Sequence, residues 1–170
     1  TLDGRQVSRG EDGYWLPRNE TTVGAHNLTA TATKQFFTSG NDSEKITVFG
    51  WADTDLQTPE RVLRGQSLNI TTRITDSNTS EPVENHPIDL LIRREGSQPQ
   101  PAANQTTGPA GFANLSLSTA DRQPGLYEIQ MRAGDNSSTF YNVTDKFENR
   151  SVELLGKLNL SLDTNQSLVY

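Results

Sequence analysis

Between Gly65 and Ala133, apolar and polar residues alternate with period two in four successive runs: RGQSLNITTRITD, HPIDLLIRR, GFANLSLSTA and RQPGLYEIQMRA. Strand side chains point to opposite faces in turn, so this pattern predicts strands with one buried and one wet face. Leu68, Ile70 and Ile74 share one parity, and Asn69, Thr71, Arg73 and Thr75 take the other. Ile88, Leu90 and Ile92 repeat the arrangement. Ala113, Leu115 and Leu117 follow, then Tyr127, Ile129, Met131 and Ala133. Turn-forming stretches DSNTSEPVENHP, REGSQPQPAANQTTGPAG and ADRQPG separate the runs. Short strands broken in this way predict an all-β sandwich.

The 170 residues allow one or two such modules. A hydrophobic share of 32%, with six Phe, four Tyr and two Trp, suits thin sandwich cores rather than a thick α/β enzyme. The net charge of −6 argues against a nucleic-acid surface, which needs clustered Lys and Arg. No run of 18 apolar residues occurs, so no membrane-spanning helix is expected. The opening TLDGRQVSRG lacks the apolar centre of a signal peptide, so the chain reads as mature or as cut from something longer. With no cysteine, disulfides, thiolate metal sites and cysteine nucleophiles are all excluded.

A second signal lies in the asparagines. Of thirteen, twelve begin an N-x-S/T triplet in which x is not proline: Asn19, Asn27, Asn41, Asn69, Asn78, Asn104, Asn114, Asn136, Asn142, Asn149, Asn159 and Asn165. Only Asn85 does not. With Ser and Thr at 34 of 170 positions, composition alone gives about two or three such triplets. The triplet is the N-glycosylation acceptor, which implies export and surface exposure. Asn and its hydroxyl partner share a strand face, so both can meet water while the middle residue faces the core. Five triplets carry an apolar middle residue: Leu28, Ile70, Leu115, Val143 and Leu160.

Residues 1–50 read as the last strands of a partial sandwich, with hairpin-type turns at Asp3-Gly4 and Asp12-Gly13. Leu28, Ala30 and Ala32 alternate with Asn27, Thr29 and Thr31. So few large apolar side chains bury too little surface for stability, and something must complete the unit. Sequence upstream would do so, as would a strand donated by a neighbouring subunit. Trp51, at the boundary, is either a plug between modules or an ordinary strand-end aromatic. The sandwich proper is expected over 51–145, its last strand being STFYNVT. Residues 146–170 are expected to form a strand-rich tail hinged at Gly156, either a donor strand or the start of a further domain.

The middle module carries Arg64-Gly65-Gln66-Ser67-Leu68-Asn69-Ile70, Thr75-Asp76, and Pro82-Val83 ahead of Ile88-Asp89-Leu90. Gly111-Phe112-Ala113-Asn114-Leu115 and Pro124-Gly125-Leu126-Tyr127-Glu128-Ile129 follow. It resembles the immunoglobulin-like modules of macroglobulin and invasin type found in prokaryotic surface proteins. Leu2-Asp3-Gly4, Asp12-Gly13-Tyr14-Trp15 and Gly24-Ala25-His26-Asn27-Leu28 look like the second half of a similar repeat. Dense triplets without cysteine are similar to archaeal surface glycoproteins of layers or filaments. The resemblance implies an immunoglobulin-like β-sandwich fold and a spacing or adhesive role rather than catalysis.

Candidate chemistry is sparse. His26 and His86 are the only histidines for a Ser–His–Asp set, and both are expected in solvent-side turns. Asp53 and Asp55 share a face and are weak calcium candidates, completed by Asp121 or a backbone carbonyl. The ordinary reading of these acids is a solvated turn. Arg93-Arg94 is expected to be a solvated strand edge that discourages stray pairing, and no glycine-rich phosphate loop leads into a helix. The expectation is a non-enzymatic, N-glycosylated extracellular structural protein with no resident cofactor, self-associating at a cell surface. A spacer within a larger membrane-anchored surface enzyme and an adhesin ectodomain are the alternatives.

Overall fold

The computed structural model describes residues 1–2, 4, 8–10, 13–15 and 22–161, whose regular structure is all β-strand. β1 (Ser8–Gly10) and β2 (Gly13–Trp15) form a short antiparallel hairpin, with Gly10 opposite Gly13. β3 (Gly24–Ala32) and β4 (Gly40–Val48) form a longer two-stranded ribbon. Asp3 and Asp12 of the expected turns lie outside the described residues, as do Asn19 and Asn165.

Two sheets then face each other. One runs β10-β7-β5-β12, built from β5 (Gly50–Gln57), β7 (Ser67–Asp76), β10 (Phe112–Ser118) and β12 (Tyr141–Val143). The other runs β6-β13-β11-β8-β9, built from β6 (Arg61–Leu63), β8 (Pro87–Arg94), β9 (Gln100–Thr106), β11 (Gly125–Ala133) and β13 (Phe147–Leu155). Between them lie Leu56, Leu68, Ile70, Ile74, Ile88, Leu90, Ile92, Ile129 and Met131, all buried. Each large side chain so buried contributes about 1.5–3 kcal/mol of hydrophobic free energy. The alternation at 68–74, 88–92 and 127–133 thus falls with its apolar parity inward. Leu115 and Leu117 are half-buried against the same core. This is an all-β, immunoglobulin-like sandwich.

The sandwich does not stop near Asp145. β13 is an internal strand of the five-stranded sheet, antiparallel to β11 and parallel to β6, and its Val152 and Leu154 belong to the core. The alternation there is masked because Glu148 and Arg150 occupy inward positions, opposite Met131 and Ile129. β6 covers only Glu153–Leu155, so upstream of that β13 is an edge. Charges turned inward on an edge strand deter a foreign strand from adding there. The Cβ that a side chain at Gly156 would carry meets Pro124 at 2.8 Å. Beyond it, residues 157–161 leave the sheet, with Leu158 and Leu160 each 97% exposed.

Two further glycines are required by close approach. Gly111 has φ +74, and a Cβ there would sit 2.5 Å from the Ile74 carbonyl oxygen. Gly50, where the chain passes from ribbon to sandwich, leaves no room beside the Tyr141 ring and Val23. Trp51 does not plug that passage: its side chain lies on the outer face of β5, 55% exposed. Arg93 and Arg94 do end β8 past the last β9 pair, Ile92↔Gln100, so on that side they are uncovered; on the other side they pair with β11, where Arg93 meets Glu128 at 2.8 Å.

Candidate functional site

Ten acceptor asparagines fall within the described residues, and all ten side chains are exposed or half-exposed. Their grouping follows from the sheets. Asn69, Asn114 and Asn142 lie on the outer face of the four-stranded sheet, where their strand neighbours Ile70, Ala113 and Val143 turn inward. Asn104 and Asn149 lie on the outer face of the five-stranded sheet, opposite Asp89 and Gln130. Asn27 and Asn41 share one face of the ribbon with Thr29 and Ser43, as the pairs Thr29↔Ser43 and Thr31↔Asn41 require. Asn78 and Asn136 occupy turns, and Asn159 follows β13.

The triplets at Asn69 and Asn114 stand directly opposite each other, pairing Asn69 with Ser116, Ile70 with Leu115 and Thr71 with Asn114. The Thr71 hydroxyl donates to Asn114 Oδ1 at 2.9 Å. Asn136 Oδ1 accepts from the Ser138 and Thr139 amides at 2.8 and 3.0 Å, and Asn149 Oδ1 accepts from Gln130 Nε2 at 3.1 Å. In these three the carbonyl oxygen is engaged and Nδ2 carries the bond-forming capacity, which is the atom that an N-glycosidic bond uses. Asn104 Nδ2 donates one hydrogen to Asp89 at 2.6 Å and keeps a second. Of the five apolar middle residues, Ile70 and Val143 are buried and Leu115 half-buried, whereas Leu28 is 37% and Leu160 97% exposed.

The histidines are not where the sequence suggested. His86 is fully buried at one end of the sandwich, and His26 is 7% exposed on β3. His86 Nε2 donates to the Gly134 carbonyl at 2.9 Å, which leaves Nδ1 to accept from the Thr139 hydroxyl at 3.0 Å. Burial holds its pKa below the usual value, although the Gly134 carbonyl and Asp135 pull the other way. The turn tripeptide Asn85-His86-Pro87 hides this because it gives no periodicity to read.

Asp76 and Tyr141 make a second polar knot. Asp76 Oδ1 accepts from the Asn78 and Thr79 amides at 2.8 and 2.9 Å, and Oδ2 accepts from Tyr141 Oη at 3.0 Å. Burial works to raise the Asp76 pKa, but these hydrogen bonds outweigh it and leave the carboxyl below its ordinary range. Burial and the facing carboxylate push Tyr141 up to about 12. Glu148 is raised by burial, with Asp55 and Asp145 adding to it, and its Oε2 is buried without a hydrogen bond.

Asp53 and Asp55 do lie on one face of β5, but Asp121 is remote. Asp53 faces Thr75 in β7, whereas β10 ends with Ser118 facing Ser67, three residues before Asp121. Eight residues of strand between Ser67 and Thr75 span about 27 Å. Among the described residues no three His, Asp or Glu side chains gather closely enough to hold a metal. Two open hollows of about 290 and 330 Å³ adjoin at Arg93 and Tyr127, and neither is lined by a histidine. The Phe49–Phe140 ring pair and the Trp51 ring beside Asn142 gave no sequence signal beyond Trp51 itself.

No protein-family model matches the chain, and no curated protein matches it. Solved structures are similar in part. The Yersinia pseudotuberculosis adhesin InvE matches at 16% identity and TM-score 0.48, over 91% of this chain and 46% of that one. The CARDB domain of a Pyrococcus furiosus protein matches at 13% identity and TM-score 0.43, over 64% of this chain and 98% of that one. A β-glucosidase from Listeria innocua matches at 17% identity and TM-score 0.43, over 64% of this chain and 17% of the enzyme. The chain thus spans about a sixth of the glucosidase and under half of the adhesin.

Proposed function

We propose that this chain is a non-enzymatic, N-glycosylated structural module of a cell surface, layer or filament, with the acceptor asparagines as its functional residues. One observation carries the reading: all ten described acceptor side chains reach the surface, seven of them on strand faces opposite the core or on the open ribbon. Sugar on these faces would hydrate two otherwise flat sheets and obstruct proteases and stray strands. Self-association is the second part of the proposal. The β3–β4 ribbon has an open edge along β4, and Leu158 and Leu160 alternate just past β13 with no apolar cover. A two-stranded ribbon is marginal by itself, and a third strand from a neighbouring copy would complete it.

The test is the intact mass of protein purified from its own cells. A chain of 18.8 kDa, or its longer parent, is expected to carry several sugar-sized increments that an N-glycan-releasing treatment removes. A bare polypeptide mass contradicts the proposal. Chemical cross-linking of the same material is expected to join residues 157–161 to the ribbon of another copy; cross-links confined within one copy contradict strand donation.

A further inference from the structure

An aromatic group lies uncovered around one acceptor asparagine. β12 pairs in parallel with β5 so that Asn142 stands beside Trp51, and Tyr141 and Val143 stand beside Gly50 and Ala52. Val143 and Ala52 are buried, so Asn142 and Trp51 share the outer face. One rung back, the rings of Phe49 and Phe140 meet edge to face with centroids 6.1 Å apart. The Gly50 amide donates to the Phe140 carbonyl at 2.9 Å, and Phe140 holds a left-handed φ of 61°. Such a backbone is uncommon for a bulky residue and is kept only where its surroundings enforce it. Trp51 is 55% and Phe49 48% exposed. Asn142 therefore sits beside the exposed Trp51 ring on the outer face, one rung from the Phe49–Phe140 ring pair.

We infer that the first sugar of a glycan on Asn142 lies across the Trp51 ring, flanked by Phe49 and Phe140, and is a packed part of the fold. This rests on the glycoprotein reading above and goes beyond it. The chemistry is complementary. A pyranose ring presents a face of axial C–H groups with partial positive charge, and the face of an indole ring is its negative side. Stacking removes apolar ring surface from water on both sides. The Asn142 amide is short and begins on the rung of Trp51, so the first sugar meets that ring without crossing the sheet. β12 is three residues long and is the last strand of its sheet, so a glycan clamped there also holds an otherwise weak edge.

The experiment is a double-mutant cycle in protein expressed in its own cells, preceded by a glycopeptide map. Thr144→Ala removes the acceptor signal at an exposed position and leaves Asn142 in place, and Trp51→Ala removes the platform. The inference expects Thr144→Ala to lower the melting midpoint by roughly 2–4 °C. Trp51→Ala should cost a similar amount when the glycan is present and little when Thr144→Ala has removed it. In a Trp15→Phe background, acrylamide quenching of Trp51 should rise about twofold on loss of the sugar, in step with the solvent-facing area regained. Sugar on Asn142 with additive melting shifts and unchanged quenching overturns the inference and leaves the glycoprotein reading standing. So does a bare Asn142 peptide in a map where other sites are loaded. A map with every acceptor peptide bare removes both. If Trp51→Ala instead dissociates an oligomer and the cycle is additive, the patch is a protein contact and the inference fails.

Discussion

The sandwich and the β3–β4 ribbon are written in the same alternating code and end in different physical states. In β7 the apolar parity Leu68, Ile70, Ile74 meets a second sheet and is buried. In β3 the parity His26, Leu28, Ala30, Ala32 meets no second sheet among the described residues, and of these only His26 is buried. Period-two patterning therefore specifies a strand and its two faces, but burial comes only when a second layer of matching polarity exists. A module with its own opposing sheet is self-sufficient. A ribbon without one presents the same residues as an unfinished surface.

The largest expected effect separates the two regions directly. Ile129→Ala, in the middle of the sandwich core, should lower unfolding free energy by about 2–5 kcal/mol in urea titrations. Ile46→Ala, half-buried on the ribbon, should cost under about 1 kcal/mol. Equal losses would mean that the ribbon has a core of its own. Asp76→Ala comes next: it removes two turn hydrogen bonds and the acceptor of Tyr141, a loss of about 2 kcal/mol. Because the folded pKa of Asp76 is depressed, its contribution is complete above about pH 4 and disappears as pH falls through the folded value.

His86 sets a smaller effect at milder pH. Its folded pKa lies below the unfolded one, so the unfolded chain binds the extra proton and stability falls as pH drops below about 6.5. The slope should not exceed about 1.4 kcal/mol per pH unit, and His86→Gln should flatten the pH 5–7 part of the profile. A wild-type profile that is flat there would contradict the buried neutral ring. The smallest effect belongs to Glu148. Its raised pKa and unpaired Oε2 mean that Glu148→Gln should stabilise the sandwich at pH 7, by a few tenths to about 1 kcal/mol. A net loss would show that the 4.0 Å contact with Arg150 outweighs the burial of charge.

The all-β class, four core strands and the outward parity of Asn69 and Asn114 were legible because each rests on local alternation, whereas Asn104 fell in a stretch read as turn that forms β9. β13 was not, since Glu148 and Arg150 interrupt its pattern for a reason that belongs to edge protection and so to tertiary structure. His86 was missed for a similar reason: its burial is created by Gly134 and Thr139, some fifty residues away. The parallel pairing of Asn142 with Trp51 joins residues 91 positions apart, and no window of sequence contains it. Asp53 and Asp55 illustrate the reverse error, because a shared strand face does not bring Asp121 to them.

The most direct test of the account is a site-resolved glycopeptide map of the native protein. It should find sugar on acceptors of both outer faces, with Asn69 or Asn114 representing one sheet and Asn104 or Asn149 the other. Full coverage of these peptides with every asparagine unmodified would contradict the central claim, and the dense triplets would then be no more than the composition of two wet sheet faces.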